Sequence, residues 1–441
     1  SDFAPGPLNP ETGEPYEHIP CSYLNKVWEV TREEILAHIE DFRDNGVIDN
    51  PIYNVMNWPA KGNTNIEIHS ELTIAMPDRT HGYAPFWDED GDGLYNPLNG
   101  DFPAVDLRHA HLLPNKIMWT VFNDVKLHVI SQTFPLHVEV QLTAWMVECP
   151  DNQAIDNTLF LNYRVINMGE EAIMEGKFGF YADFNIGCES DDYLGSHPDQ
   201  NAFFGYNSTD YDEGAGWDCP PEFSHGFNTP MQVVSYQLWE DMDYFTYFNN
   251  VDQGPPTYSP RFAQEYYNYL SGRWPDGEPL TFGHDGYNLG NTDTVHFAFP
   301  DDPTDSLGWS LKTVDVGPNR FYGIGSANMS NIREEQESWL SPGATNEFLI
   351  AVTTIEKRNY SLKEQYDRMD IDFQKMQNFL SNSASGICAQ TYSPPEKEPE
   401  EEQPGLKIYP NPAFQNLKIE YPKPVQRVQF FDVSGRLIHE I

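Results

Sequence analysis

An acidic loop over residues 87–101 carries the side chains best suited to bind a metal ion. Its sequence, WDEDGDGLYNPLNGD, places aspartates on alternate positions and follows the third of them with a glycine. Hard cations such as calcium prefer oxygen ligands, and this spacing with its glycine turn is typical of calcium-binding loops. The predicted ligands are the carboxylates of Asp88, Asp90, Asp92 and Asp101 and the main-chain carbonyl of Leu94.

The acidic loop departs from an EF-hand at its closing position. The twelfth residue is Asn99, where an EF-hand has a bidentate glutamate, so Asp101 is the predicted closing carboxylate. Without a metal, the same residues would form a loop rich in Asx turns. Closely spaced carboxylates repel one another unless a cation lies between them, which favours calcium over the empty loop. Such an ion would be structural and would imply no catalysis.

Other candidate sites are less specific. Asp183, Asp191 and Asp192 lie in one glycine-bounded loop and are candidates for a second calcium site. The segment His109-Ala110-His111 would place two imidazoles on one face of a strand, although such pairs are more often structural. No GxSxG, HExxH or phosphate-loop motif is present. With 68 acidic residues, no glycosidase carboxylate pair can be selected, and the sequence favours a protein without enzymatic activity.

Charge and hydropathy limit the possible partners and location. The chain has 441 residues and a net charge of −42, from 26 basic and 68 acidic side chains. Such a surface repels nucleic acid and anionic lipid, which excludes both as partners. No run of about 18 apolar residues exists, so no membrane span is predicted. Because the sequence begins at Ser1 without a signal peptide, we interpret it as a mature, exported chain.

The five cysteines predict disulfides. They show no CxxC spacing, which argues against zinc and thioredoxin-like chemistry, and an exported protein is expected to form one or two disulfides. Connectivity cannot be derived from sequence alone. The pairing that we favour joins Cys188 to Cys219 and Cys21 to Cys149, which leaves Cys388 as the odd thiol.

Hydrophobic patterning predicts a mainly β protein with a β-sandwich-like body. Residues 1–26 are expected to form an extended N-terminal segment and residues 27–388 the β-rich body. Residues 185–310 are rich in Gly, Pro, Asp and Tyr, and we expect them to form long loops. Alternating, β-branched and aromatic segments occur at the spacing of a β-sandwich. The predicted strands cover residues 117–122, 127–130, 136–142, 158–166, 178–184, 294–299 and 346–355.

Two helices are predicted to flank the sheet structure. Thr31 and Glu34 have the spacing of a capping box, which predicts a helix over residues 31–45. A second helix, over residues 361–380, has an apolar stripe of the kind that packs on a core. An acidic, proline-rich linker at 389–405 then precedes a short β module at 406–441.

Two motifs in the C-terminal module carry a family resemblance. The first runs from Tyr409-Pro410-Asn411-Pro412 into Ala413, and the second is the later turn that contains Gly435-Arg436. In this order, after an acidic linker, they resemble the type A sorting domain of the type IX secretion system of Bacteroidota. The resemblance covers about the first half of such a domain. It implies a small Ig-like β module and export by the type IX machinery to the extracellular space or the outer-membrane surface.

The body also resembles a group of uncharacterised secreted proteins that carry this tail. The matching segments include Asn57-Trp58-Pro59-Ala60-Lys61-Gly62-Asn63, Ala84-Pro85-Phe86, Asp191-Asp192-Tyr193-Leu194-Gly195 and Gly283-His284-Asp285-Gly286-Tyr287. The group implies no activity that can be transferred to this chain.

The sequence therefore predicts a secreted or cell-surface protein with a structural or adhesive role, stabilised by calcium. If the chain self-assembles, the N-terminal segment is the expected connecting arm, because an extended strand can pair with an exposed sheet edge. The alternative is a glycan-binding or glycan-degrading extracellular protein, since loop aromatics can stack on sugar rings. The candidate aromatics are Trp217, Tyr258, Tyr266, Tyr267 and Trp274.

Overall fold

The computed structural model describes residues 2–391 with gaps, and four short strands beyond them. The gaps are residues 17–23, 65, 70–71, 77–78, 108–110, 213–218, 221, 250–256, 315, 317–319, 330–338, 358–359, 382–387 and 389. The chain divides into two compact units, Ser1–Thr391 and Tyr392–Ile441. The first unit, which we call the body, therefore extends three residues into the predicted linker.

The helices of the body that the structure describes are α1 Arg32–Asn45, α2 Tyr53–Met56, α3 Gln153–Asp156, α4 Ala263–Leu270 and α5 Leu362–Ser381. The strands of the body are β1 Ala4–Pro5, β2 Trp28–Thr31, β3 Ile66–His69, β4 Leu72–Ile74, β5 Phe86–Trp87, β6 Phe102–Pro103, β7 Val105–Asp106, β8 His111–Leu113, β9 Lys116–Asn123, β10 Val138–Met146, β11 Thr158–Asn167, β12 Ile173–Met174, β13 Lys177–Asp183, β14 Asp192–His197, β15 Ala202–Asn207, β16 Met231–Gln237, β17 Tyr244–Asn249, β18 Phe321–Asn328, β19 Trp339–Leu340, β20 Thr345–Ile355 and β21 Gln390–Thr391. The second unit contributes β22 Lys407–Tyr409, β23 Lys418–Glu420, β24 Gln429–Phe431 and β25 Leu437–Glu440.

The main sheet of the body is antiparallel and has the order β1-β9-β10-β11-β20-β16-β15-β14, with β2 also paired to β9. Long-range pairing builds its centre, because β11 and β20 are distant in sequence yet pair from Thr158↔Thr353 to Ile166↔Thr345. Successive side chains of a strand point to opposite faces. Both faces of this sheet are covered, one by a second sheet and the other by a helix.

The second sheet, β13-β18-β17, packs on one face of the main sheet. Phe178 of β13 stacks on Phe348 of β20 with ring centroids 4.0 Å apart, and Phe203 of β15 stacks on Phe245 of β17 at 5.1 Å. Glycines in β18 allow this approach, since a Cβ at Gly325 would lie 2.6 Å from the Phe203 ring. The predicted mainly β fold is confirmed, and two sheets packed face to face form a sandwich-like body.

The two predicted helices lie close to their expected spans. Helix α1 begins after Thr31, whose hydroxyl accepts from Glu34 N while the Glu34 carboxylate accepts from Thr31 N. Helix α5 covers the other face of the main sheet. Its Phe379 ring lies 6.2 Å from Phe160, which itself stacks on Trp145 at 4.1 Å.

The N-terminal segment is bound to the sheet of its own chain. Ala4 pairs with Asn123 and Pro5 with Phe122, so β1 covers part of the β9 edge. Leu8 N donates to Glu139 Oε2 at 2.8 Å. The segment that we expected to connect two copies therefore pairs here with a sheet edge of its own chain.

A buried ion pair fastens this segment to the main sheet. Arg79 and Glu139 form a salt bridge, and both side chains are almost completely buried. Arg79 also donates to the Leu8 carbonyl at 3.0 Å, and its guanidinium lies 3.9 Å from the centre of the Tyr83 ring. Gln141 Nε2 donates to Glu139 Oε1 at 2.8 Å. Three separate segments of the chain thus meet at one pair of charges.

Several predicted elements are wrong. Residues 185–310 contain β14–β17 and α4 instead of long loops alone. These strands were missed because β14, β15 and β16 are buried on both faces, so they lack the alternation of a half-exposed strand. Residues 127–130 form no strand. Residues 294–299 form only isolated bridges, such as Phe245↔Phe297.

One predicted disulfide is present and the other is replaced. Cys188 bonds to Cys219, the pairing that we favoured. Cys149 bonds to Cys388, with Cα atoms 4.9 Å apart, so the predicted Cys21–Cys149 bond is wrong and Cys388 is not the odd thiol. Cys21 lies outside the described residues. A separation of 239 residues explains the error, since only the fold brings these cysteines together.

The second unit is described only through its strands. β22 pairs with β23, and β24 pairs with β25, all antiparallel. Of the predicted sorting-signal residues, Tyr409 lies in β22. Pro410, Asn411, Pro412, Gly435 and Arg436 lie outside the described residues.

Candidate metal centre

The acidic loop connects the two strands of a short hairpin. β5 and β6 pair through Phe86↔Pro103 and Trp87↔Phe102, and the rings of the second pair stack with centroids 6.2 Å apart. The buried side chain of Tyr95 anchors the middle of the loop, because its hydroxyl donates to the Val55 carbonyl at 2.7 Å. Both ends and the centre of the loop are therefore held by packing.

Three of the predicted carboxylates converge. Oxygen atoms of Asp88, Asp90 and Asp101 all lie within 4.8 Å of one another, and this is the one such group of acidic, histidine or cysteine ligands among the described residues. Calcium–oxygen distances are about 2.3–2.6 Å, so oxygens around one ion lie within about 5 Å of each other. The three carboxylates are thus spaced as ligands of a single cation.

Main-chain amides orient the carboxylates. Asp88 accepts from Gly91 N at 2.7 Å and from Gly93 N at 2.8 Å. Gly91 and Gly93 have φ of 76° and 79°, a conformation that favours glycine and turns their amides toward Asp88. These hydrogen bonds are those of an Asx-turn loop. This arrangement of the loop is compatible with both interpretations of the sequence, a calcium-binding loop and a loop of Asx turns without a metal.

Asp101 is the buried member of the group. Its side chain is fully buried and accepts from Glu89 N at 2.8 Å and Asn96 N at 2.6 Å. Burial and the neighbouring charges of Asp88 and Asp90 together raise the pKa of the Asp101 carboxyl to about 6, although the two amide donors act in the opposite direction. A cation beside Asp101 would favour its charged form.

The remaining predicted ligands have other contacts. Asp92 accepts from Leu94 N at 2.7 Å and from Asn96 Nδ2 at 3.1 Å, and it lies outside the converging group. The Leu94 carbonyl accepts from the same amide at 3.5 Å. Asn99, at the position of the EF-hand glutamate, donates to Asp90 Oδ2 at 3.0 Å. Asn96 and Asn99 were not predicted site residues, although their side-chain amides donate to Asp92 and Asp90, respectively.

Helix α1 positions the end of the loop that carries Asp101. Gly100 has φ of 99°, and a Cβ there would lie 2.5 Å from the Phe42 ring of α1. Any other residue would force the loop away from the helix. The capped helix thus contributes directly to the placement of the buried carboxylate.

The second predicted set does not converge as a unit. Asp183 pairs with Arg320, which donates to both carboxylate oxygens at 2.5 and 3.2 Å and also to Glu189. Asp191 and Asp192 are buried at the start of β14. No group that includes all three appears among the described residues, and Asp183 forms an ion pair with Arg320.

The other sequence candidates are dispersed. His109 lies outside the described residues, and the His111 ring packs edge-on against Trp87 at 5.0 Å. Trp217 also lies outside them. Trp274 is buried, and Tyr258 donates to Glu265, whereas Tyr266 and Tyr267 remain more than one-third exposed.

Comparison with known proteins locates the protein rather than assigning an activity. Residues 407–441 match the secretion system C-terminal sorting domain. This tail directs export to the cell surface or the extracellular space, and it makes the type IX secretion machinery a partner during export. No helix among the described residues is long and apolar enough to cross a membrane.

The two other comparisons assign no activity to the chain. A search of curated proteins gives no match. Among solved structures, the chain is similar to a putative aldose 1-epimerase from Escherichia coli K12, at 11% identity over 62% of this chain and 76% of that chain. The TM-score is 0.21, so this likeness carries no argument about fold or activity.

Proposed function

We propose that this exported chain is a calcium-stabilised structural or adhesive protein that acts through protein contacts. The observation that carries the proposal is an apolar loop, residues 127–136, on the surface of the body. Phe134 is 89% exposed and Leu127 is 76% exposed. Single exposed apolar residues are common, whereas a concentration of them marks an interaction surface. The exposed apolar side chains of the loop are Leu127, Val129, Ile130, Phe134 and Leu136.

The apolar loop is held in place by two aspartates. Asp2 accepts from Ile130 N at 3.0 Å and from Ser131 N at 2.9 Å. Asp124 accepts from Leu136 N at 2.6 Å and from Val138 N at 2.8 Å. Because the backbone is already ordered, a partner would not have to order it on binding, which favours affinity.

Self-association is the first form of contact to test. We expect the full chain to form a concentration-dependent dimer or larger species, and Leu127→Ser with Phe134→Ser to weaken it at least tenfold, measured by analytical ultracentrifugation in calcium. Leu307 is 95% exposed in another loop, so Leu307→Ser is the matched control and should leave association unchanged. A wild-type chain that stays monomeric at high concentration would contradict self-association through this loop. Equal association of the wild type, the double variant and Leu307→Ser would contradict it as well.

A glycan-binding role is the second candidate, and one observation favours it. A cavity of about 470 Å³ is lined by the rings of Tyr181, Phe248, Tyr266 and Tyr322, together with Leu270 and Pro260. Tyr181 is 50% exposed and stacks on Tyr322 with centroids 5.6 Å apart. Exposed aromatic faces with adjacent hydroxyls can stack on sugar rings and bind their hydroxyl groups.

The glycan candidate predicts a loss of binding at Tyr181. We expect Tyr181→Ala to lower affinity for any polysaccharide that the chain retains on a glycan array by about fivefold, since one aromatic contact contributes about 1 kcal/mol. Tyr53 is similarly exposed but belongs to α2, and Tyr53→Ala should bind as the wild type does. An array with no binding, or equal binding by both variants, would remove this candidate.

A further inference from the structure

A second buried group of oxygen atoms lies where β14 begins and β15 ends. We call it the β14–β15 cluster and define it as Asp191, Asp192, Asn207, Ser208 and Asp212, all of which are buried. Asp192 pairs with Asn207 in the antiparallel ladder, and Ser208 N donates to the Asp191 carbonyl at 2.9 Å. Paired residues of adjacent strands place their side chains on the same face, so Asp192 and Asn207 face each other.

Three oxygens of the cluster lack hydrogen-bond partners. Within the described residues, Asp192 Oδ1, Asn207 Oδ1 and Ser208 Oγ are each buried without a partner. Asn207 is oriented by its other amide atom, since Nδ2 donates to the Thr209 carbonyl at 3.0 Å. Buried polar atoms are almost always satisfied, and a carboxylate facing an amide oxygen presents two acceptors with no donor between them.

Negative charge accumulates around these oxygens. Asp212 is fully buried, and its carboxylate accepts from Cys188 N at 3.0 Å and from His225 N. Burial and the nearby charges of Asp191, Asp212 and Glu189 together raise the pKa of Asp192 to about 9. The nearby guanidinium of Arg320 is engaged by Asp183 and Glu189.

We propose that the β14–β15 cluster binds a second divalent cation, calcium being the fitting ion, with Asp192 and Asn207 as side-chain ligands and Ser208 as a third oxygen. Carboxylate, amide and hydroxyl oxygens are ligands that calcium accepts. A proton on Asp192 could satisfy Asn207, but it would neutralise one of several neighbouring carboxylates. A divalent cation would contact both Asp192 Oδ1 and Asn207 Oδ1. It would also offset the negative charge of more than one of the neighbouring carboxylates.

The second ion does not depend on the acidic loop or on the apolar loop, and it adds to the calcium stabilisation proposed above. It also changes the residue set expected from sequence. Asp183 is replaced by Asn207 and Ser208, which lie beside Asp191 and Asp192 only after β14 and β15 pair. The disulfide Cys188–Cys219 borders the cluster, because Cys188 N binds Asp212.

Calcium stoichiometry of the full chain tests the second ion. Measurements are made in an Asp88→Asn/Asp90→Asn background, which removes the acidic-loop ion. Calcium binding at the β14–β15 cluster is then measured separately from binding at the acidic loop. By equilibrium dialysis with calcium alone, we expect one ion per chain in this background and none after Asp192→Asn. Asp183→Asn is the matched control and should retain the ion.

Asn207→Asp separates a cation from a proton. With a cation, the added carboxylate should increase calcium affinity at least tenfold in the same background. With a hydrogen-bonded, protonated Asp192, Asn207→Asp would destabilise the chain with or without calcium, and Asp192→Asn would be neutral. A background chain that binds no calcium, or an Asp192→Asn variant that still binds one ion, would overturn the proposal.

Discussion

Replacing Arg79 by methionine is expected to lower the free energy of unfolding by about 3–5 kcal/mol, because it leaves the buried Glu139 carboxylate without its counter-ion. Burial lowers the pKa of Arg79, but the adjacent Glu139 charge outweighs this effect and raises the pKa above its ordinary value. The substitution also removes the bond to the Leu8 carbonyl. The N-terminal segment should therefore detach from the sheet as the body loses stability.

Urea unfolding of the full chain measures this effect. Arg273 is exposed and donates to the Gly277 carbonyl, so Arg273→Met is the matched control and should change stability by no more than about 0.5 kcal/mol. Arg79→Met combined with Glu139→Leu removes both charges and should recover part of the loss. A loss below about 1 kcal/mol in Arg79→Met would show that the pair does not stabilise the fold.

Calcium removal is expected to have the second large effect. At calcium concentrations a hundredfold above the dissociation constant, a bound ion contributes about 2.7 kcal/mol, and EDTA should abolish this contribution. Asp90→Asn removes one of the three converging carboxylates and should reduce the EDTA effect. Asp151 is exposed and lies outside the group, so the Asp151→Asn variant should show the same EDTA effect as the wild type. Thermal unfolding in calcium and in EDTA gives the comparison.

The EDTA effect should also depend on pH. The pKa of Asp101 is raised to about 6, so its protonated form is favoured in the folded state without metal. This contribution to stability is fully present below about pH 4 and is lost as pH rises through 6. The metal-free protein should therefore be less stable at pH 7 than at pH 5, and calcium should reduce that difference. An EDTA effect that grows toward low pH would contradict this account.

Local patterns predicted the parts of the molecule that depend on neighbours in sequence. The capping box of Thr31 and Glu34 predicted α1, and alternation in residues 158–166 predicted β11, because one turn or one strand face determines each. The spacing of Asp88 and Asp90 likewise indicated an oxygen-rich loop. Asp101 was identified from its position after Asn99, and the structure shows in addition that Gly100 and Phe42 bury it.

Features that depend on distant residues could not be predicted in this way. The Cys149–Cys388 bond joins residues 239 apart, and Arg79 meets Glu139 only when β10 is in the sheet. Asn207 has no motif of its own and becomes a candidate ligand through its pairing with Asp192. Strands buried on both faces lack a periodic pattern, which explains why β15 was missed.

The most direct test of the calcium-stabilised body is a calorimetric titration of the metal-free full chain with calcium chloride. We expect Asp88→Asn/Asp90→Asn to bind one calcium ion fewer than the wild type and Asp151→Asn to bind the same number. Equal stoichiometry and heat in all three proteins would contradict calcium binding at the acidic loop.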